Sequence, residues 1–385
     1  MTTKIKVLQV IPKLGFGGAE TGCYDLAHFL AEQECQSFLI TSGGELLKFV
    51  KRSKVKVIRL PVHSKNPFIM FINFIIIFLV ILFYNIDIVH ARSRAPAWSC
   101  LWACFFSRKK FVTTFHGTYN FSSKLKLFYN SVMVRSKLII AGSNFIFNHI
   151  NENYPTYFNP TKKKLMVIFR GINLDYFSSK NTSEKKVNEL AQVWNINKND
   201  FTILLPGRLT KWKGQEMFIE SLNLLLKNHN KNNFHAVILG SDQGRSAYFK
   251  KLLLLVERYR LGKKITFVKS CKEMPLAYKL ADIVVSSSTE PEAFGRVAVE
   301  AQAMNKPIVA SNLGGSKETI VNGKSGLLYQ PDDSKELAEI INRLIEIDKE
   351  SLSLMGEHGR KNIEKKFNVD QMCQTTFTEY KKLLK

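Results

Sequence analysis

DIVVSSSTEPEAFGRVAVEAQAMNKPIVASN, residues 282–312, reads as one strand–loop–helix–strand unit. DIVVSSS (282–288) and KPIVASN (306–312) are short β-rich runs that end in Ser or Asn. Pro291 and Gly295 interrupt the chain between them, so a helix is expected to begin near Arg296. Two strands joined by a helix pair in parallel, which makes this stretch the repeating unit of an α/β fold.

The same alternation extends in both directions. In the first half, strands are expected at 6–11, 37–42, 54–60, 87–91, 110–117, 137–143 and 165–172. In the second they fall at 201–209, 234–240, 265–268, 282–288, 306–312 and 326–331. Residues 178–200 are polar and rich in Asn and Lys, and read as a linker carrying a short helix. The reading is α/β: two Rossmann-like, doubly wound domains in tandem. Ligands of such sheets bind outside the carboxyl ends of the strands, and two facing domains would place the site in the cleft between them.

With 385 residues, 45% of them hydrophobic, the chain has the material for two packed cores. Six cysteines form no CxxC pair, which indicates neither a zinc site nor a redox motif. MTTK runs directly into a strand, so a cytoplasmic setting is expected. Residues 1–180 hold 24 Lys and Arg against 8 Asp and Glu, so most of the net charge of +24 lies in the first half. Such a field attracts nucleic acid, anionic lipid or an acidic substrate. No nucleic-acid-binding motif accompanies it, whereas FIMFINFIIIFLVILFY (68–84) adds apolar surface, so a lipid surface fits better. At 17 residues that segment is at the short edge for a membrane span and reads as a helix on the sheet, with one face available to a membrane.

Chemistry-bearing residues collect where strands end. LGFGGAE (14–20) resembles a dinucleotide fingerprint but has Glu20 where the third glycine belongs; Gly17 and Gly18 remain as a loop opening a helix, where backbone amides can approach an anion. His116, in FHGTY, ends a strand and could donate a hydrogen bond or carry a proton. Arg208 and Lys213, in PGRLTKWKG, flank a turn and suit a diphosphate. Glu292 and Glu300 are separated by seven residues, one in the loop and one in the second turn of the following helix. That layout suits a ligand lying across a helix N-terminus, and equally a surface helix with two solvated acids. Gly314-Gly315 forms another close-approach turn, and NGKS (322–325) is no P-loop because Glu318 stands where glycine is required.

The order of these motifs resembles the retaining, two-Rossmann (GT-B) glycosyltransferases, specifically glycosyltransferase family 4. The resemblance covers nearly the whole chain and is strongest over 201–331. GGAE (17–20), HG (116–117), Ser143 and RGINLDYF (170–177) add to it, although Phe169-Arg170 stands where the family usually has Pro-Asn. The resemblance implies a nucleotide-diphosphate-sugar donor. Glu300 would accept from the ribose hydroxyls and Glu292 would contact the donor sugar, with the backbone amides near Phe294 and Gly295 completing the sugar and phosphate contacts. Arg208 and Lys213 would hold the diphosphate, Gly17 and Gly18 would close over it, and His116 would lie near the reacting carbon. No metal and no cofactor would be required, and no Asp-x-Asp triplet occurs.

Residues 1–178 would bind the acceptor, 179–365 the donor, and 366–385 would form a helix crossing back to the first domain. KRSKVKVIR (51–59), SRKKF (107–111), SSKLKLFYNSVMVRSK (122–137) and TKKK (161–164) would favour an anionic membrane face. The expectation is a cytoplasmic, peripherally membrane-bound transferase acting on a lipid-linked or glycan acceptor in lipopolysaccharide or other cell-envelope assembly. A small soluble acceptor, or an inactive scaffold relative, is the alternative. Nucleic acid is not an expected partner.

Overall fold

Thirteen short runs rich in Val, Ile, Leu and Phe form strands in a computed structural model, which describes residues 4–385 apart from 34, 120, 160–162, 198, 230 and 232. The chain divides into two units, Met1–Gly171 with Val369–Lys385, and Ile172–Asn368.

The first unit holds β1 (Ile5–Val10), α1 (Gly18–Glu32), β2 (Cys35–Thr41), β3 (Val55–Arg59), α2 (Pro67–Tyr84) and β4 (Ile88–Ala91). It continues through α3 (Arg94–Ser107), β5 (Lys110–Phe115), α4 (Lys124–Asn130), β6 (Leu138–Ala141), α5 (Asn144–Asn153) and β7 (Lys164–Val167). Its strands pair in parallel in the order β3-β2-β1-β4-β5-β6-β7. The second unit starts with α6 (Glu184–Val193), β8 (Phe201–Pro206), α7 (Gln215–His229), β9 (Phe234–Leu239), α8 (Ser246–Arg258), β10 (Ile265–Val268) and α9 (Met274–Leu280). It ends with β11 (Ile283–Ser286), α10 (Arg296–Ala303), β12 (Ile308–Ser311), α11 (Ser316–Thr319), β13 (Gly326–Tyr329), α12 (Ser334–Glu346) and α13 (Lys349–Lys366). Its order is β10-β9-β8-β11-β12-β13, again parallel. In each sheet the winding reverses once, between β1 and β4 and between β8 and β11, and those switch points are where such sheets open a crevice for ligands.

Helices alternate with the strands of each sheet, so the inner strands are buried on both sides and read as continuous apolar runs rather than alternating ones, while the edge strands β3, β7 and β10 are partly exposed. Phe218, Phe234, Ile238, Leu337 and Ile341 meet in the second core. Each such side chain contributes about 1.5–3 kcal/mol by leaving water.

The last helix, α14 (Val369–Leu384), belongs to the first unit. Cys373, Phe377 and Tyr380 enter the core beside Val7, Leu26 and Ile88. The Tyr380 hydroxyl bonds Nδ1 of buried His90, and Glu379 pairs with Lys164 at 2.6 Å.

One sequence expectation needs correction and another gains detail. The short helix expected within 178–200 is α6, and the segment around it is packed: Val187 and Trp194 are buried, Ser179 Oγ donates to Met304 O at 2.6 Å, and α6 lies on α9. Residues 172–178, read with the first domain, group with the second. Arg360 donates to the carbonyls of Phe177 and Ala303 at 2.7 Å each, and Ile172 N–H donates to Phe367 O at 2.8 Å.

The apolar segment is a helix of the first unit with distinct faces. Asn66 caps α2 by accepting from Phe68 N–H at 2.9 Å, Pro67 supplies the preset first turn, and Asn85 ends it in the left-handed region. Met70, Asn73, Ile77 and Ile81 face inward. Asn73 donates to Pro61 O, and Ser99 on α3 donates to Met70 O. By length and composition α2 is also long and apolar enough to cross a membrane.

Candidate active site

Six of the sequence-predicted residues belong to the second unit, and its switch point brings two of them, Lys213 and Glu292, into contact. β8 ends at Pro206, and the chain turns through Arg208 into a short 3-10 turn at Lys211–Lys213. Gly214, at φ +68°, closes that turn; a Cβ there would lie 1.8 Å from Ser287 O, so only glycine lets the turn sit against the end of β11. Ser287 Oγ donates to the carbonyls of Lys213 (2.9 Å) and Gly214 (3.1 Å), and Thr289 N–H donates to Trp212 O at 2.8 Å. Lys213 is therefore fixed to the strand end that leads to Glu292.

Lys213 Nζ donates to Glu292 Oε1 at 2.7 Å, with both side chains nearly buried, and lies 4.4 Å from the centre of the Trp212 ring. The same Oε1 accepts from Ser288 Oγ at 2.6 Å and Ser286 Oγ at 3.3 Å. Burial pushes the Glu292 carboxyl up, but the Lys213 charge and these hydrogen bonds outweigh it and hold it below the usual carboxylate range. The carboxylate is ionised, and all three donors engage one oxygen.

The loop that carries Glu292 is clamped from behind. Gly315 N–H donates to Glu292 O at 2.7 Å, and a Cβ on Gly315 would lie 2.5 Å from Phe294 C. Gly314-Gly315 thus presses its backbone onto 292–294. Phe294 is a core side chain whose ring packs 5.6 Å from that of Phe367, so only its backbone can face a ligand. Gly295, at φ +79°, turns the chain into α10. The guanidinium of Arg208 is exposed.

Glu300 is buried on α10 with both oxygens engaged: Tyr278 Oη donates to Oε2 at 2.7 Å and Arg296 Nε donates to Oε1. Half-exposed Tyr176 lies close enough that burial, and then the Glu300 charge, raises its phenol pKa. A ligand hydroxyl reaching Glu300 would share its oxygens with these partners.

In the first unit, Gly17 caps α1 and Gly18 begins it. The Glu20 carboxylate folds back toward Gly17, where a Cβ would lie 2.3 Å from Oε2. The carboxylate thus lies at the N-terminus of α1, where the helix dipole favours negative charge. His116, just past β5, accepts at Nδ1 from Arg170 Nη2 at 3.0 Å, and the same Nη2 donates to His116 O at 2.7 Å. Burial, then Arg170, Arg92 and His90, push its pKa well below the ordinary histidine value, which favours the neutral ring. Arg92, buried at the end of β4, donates to Gln9 Oε1 at 3.0 Å.

The sequence reading missed the groups that hold its candidates. Ser286 and Ser288 left a trace in the serine triplet ending DIVVSSS. Arg170 was visible only as a departure from a family pattern, and Tyr278 gave no signal before helix packing placed it on Glu300. No group of three or more His, Cys, Asp or Glu is placed to hold a metal among the described residues.

Two doubly wound parallel sheets with polar residues at their carboxyl ends match the GT-B class of glycosyltransferases. Residues 16–176 match the family model described as Glycosyltransferase Family 4, and residues 186–362 that described as Glycosyl transferases group 1. A glycosyltransferase from Rickettsia africae ESF-5 is 35% identical, with a TM-score of 0.90 over 99% of both chains. Anabaena Alr3699/HepE, solved with UDP-glucose, is 23% identical, with a TM-score of 0.84 over 98% of this chain and all of that one. The capsular polysaccharide biosynthesis glycosyltransferase CapM of Staphylococcus aureus is 28% identical over 216 residues, which is 56% of this chain and 53% of CapM. The chain belongs to the group 1, family 4 glycosyltransferases.

Proposed function

We propose that this glycosyltransferase moves a sugar from a nucleotide-diphosphate-sugar to a lipid-linked or glycan acceptor of the cell envelope, lipopolysaccharide among them, with retention at the anomeric carbon and without a metal. The observation that carries the reading is the Lys213–Glu292 pair at the β8/β11 switch point, with the Arg208 guanidinium exposed nearby in the chain. The two cations would offset the charge that develops on the leaving diphosphate, an effect worth about 3–4 kcal/mol per donor in comparable sites. Glu292 Oε2, opposite the three donors on Oε1, would accept from donor-sugar hydroxyls. Three donors on a carboxylate of lowered pKa also make Glu292 a poor nucleophile, which favours front-face attack with the leaving phosphate as base. Glu300 would accept from the ribose, and the backbone amides at Phe294 and Gly295 would complete the contacts. UDP-glucose in HepE and the capsular role named for CapM are consistent with this donor and this kind of acceptor.

The first unit would rest on the anionic inner face of the cell membrane. The outer face of α2 carries Phe68, Phe71, Ile75, Leu79, Leu82 and Phe83, all exposed, and Phe105 and Phe106 on α3 extend it. Cations border it: Lys65 is exposed, Lys56 Nζ lies 4.1 Å from the centre of the Tyr84 ring, and Lys109 donates to Asn85 at 2.8 Å. An apolar stripe edged by lysines suits an anionic lipid surface better than full insertion, because the opposite face of α2 is packed on the protein. Of the basic run at 161–164, Thr161 and Lys162 lie outside the described residues.

The test is product analysis. Nucleotide-diphosphate-sugars offered with lipid-linked and soluble acceptors should give a glycoside of the donor's anomeric configuration by NMR, at a rate unchanged by a chelator. Inverted product, a chelator-sensitive rate or preference for a small soluble acceptor would each remove one element of the proposal.

A further inference from the structure

We propose that Arg170 is a positioning residue: it holds His116 as the tautomer with its proton on Nε2, so that Nε2–H donates a hydrogen bond to an oxygen of the bound substrate. The proposal rests on the transferase reading above. A guanidinium can only donate, so Nδ1, 3.0 Å from Arg170 Nη2, must offer its lone pair. The proton of the neutral ring then sits on Nε2. That nitrogen is out of reach of solvent and has no hydrogen-bond partner among the described residues. A buried donor of this kind calls for an acceptor, and a sugar hydroxyl or phosphoryl oxygen supplies one.

The local fold is built for this reach. His116 follows β5, Arg170 follows β7, and β6 lies between those strands. The arginine crosses the end of β6 at Gly142, where a Cβ would lie 3.2 Å from Arg170 Nε and 3.5 Å from Cγ. Arg170 and Arg92 also disfavour a second proton on the ring, as does neighbouring His90, while Tyr119 bonds the His116 backbone and Arg94 lies over the Tyr119 ring. His116 therefore acts as a fixed dipole rather than an acid.

The experiment is long-range proton–nitrogen NMR on the full chain labelled in histidine, with His116→Gln to assign the signal, beside steady-state kinetics. In the wild type, Nδ1 should show an unprotonated shift and Nε2 a protonated one, constant through the neutral pH range. Arg170→Met, folded by circular dichroism, should mix the tautomers, bring His116 titration toward neutrality, lower kcat roughly tenfold or more, and move the acid limb of the rate profile upward. Gly142→Ala, which crowds Nε without touching the histidine, should shift the same readouts by less. A protonated Nδ1 in active wild type, or an unchanged tautomer and pH profile in folded Arg170→Met, overturns the proposal and leaves the transferase reading standing. A protonated Nε2 in a protein that binds no nucleotide-sugar overturns the substrate contact, and the reading beneath it.

Discussion

Lys213 and Glu292 settle their charges on each other, and that pair sets what each can do for a ligand. Removing one partner leaves a nearly buried charge, which costs about 3–5 kcal/mol. Lys213→Ala should therefore lower both stability, read by urea denaturation, and turnover, the latter by about 10²–10³-fold. Glu292 has a depressed carboxyl pKa, so its contribution to stability is present above the unfolded value and is lost as pH falls through the folded one. Urea midpoints of wild type and Glu292→Gln should stay apart at neutral pH and converge only below the ordinary glutamate range, about 4.3; convergence near neutrality would contradict the pairing. At this scale the sequence named the ends of the interactions but not their holders. Glu292, Lys213 and Glu300 stand in motifs, whereas Tyr278 and the donors on Glu292 Oε1 become partners only through packing.

Among elements, strands were the most legible part. The inner ones are apolar because both faces are covered, and most ends moved by only a residue or two, while β7 stops five residues and β8 three residues short of the expected end. α6 was harder to read: it is polar on most of its surface, and two buried side chains, Val187 and Trp194, anchor a segment that looks like linker. The glycine turn after β12 is where element geometry meets the site. Gly315 is in ordinary helical backbone (φ −66°), so Gly315→Ala is penalised only by crowding against Phe294. It should cost about 1–3 kcal/mol and shift the Glu292 loop, lowering donor affinity more than a change of equal stability elsewhere. Thermal melts beside donor KM would show this; lost stability with an unchanged KM would mean the turn does not set the loop. Deleting 369–385 should leave the first unit insoluble, because it removes Cys373, Phe377 and Tyr380 from its core at a cost of roughly 5–9 kcal/mol.

For the whole molecule, fold class followed from the repeated βαβ pattern, while the boundaries did not. Arg360 reaches back to carbonyls near 174–177, a contact with no mark in sequence. The charge excess of the first half, with the exposed aromatic stripe on α2 and α3, predicts binding to anionic vesicles that weakens with salt. Phe68→Glu with Phe83→Glu should abolish binding and leave the fold intact, since both rings are more than two-thirds exposed. Equal sedimentation with neutral vesicles, or binding unaffected by the double change, would sink the membrane half of the proposal.

The most direct test of the donor site is calorimetric titration of the purified protein with UDP, GDP and ADP in the absence of metal, beside Lys213→Met and Glu300→Gln. One nucleoside diphosphate should bind the wild type, and both variants should lose at least tenfold in affinity, since hydrogen bonds to charged groups contribute about 1.5–3 kcal/mol each. Binding that both folded variants retain, or no binding by the folded wild type, would contradict a donor site at the β8/β11 switch point.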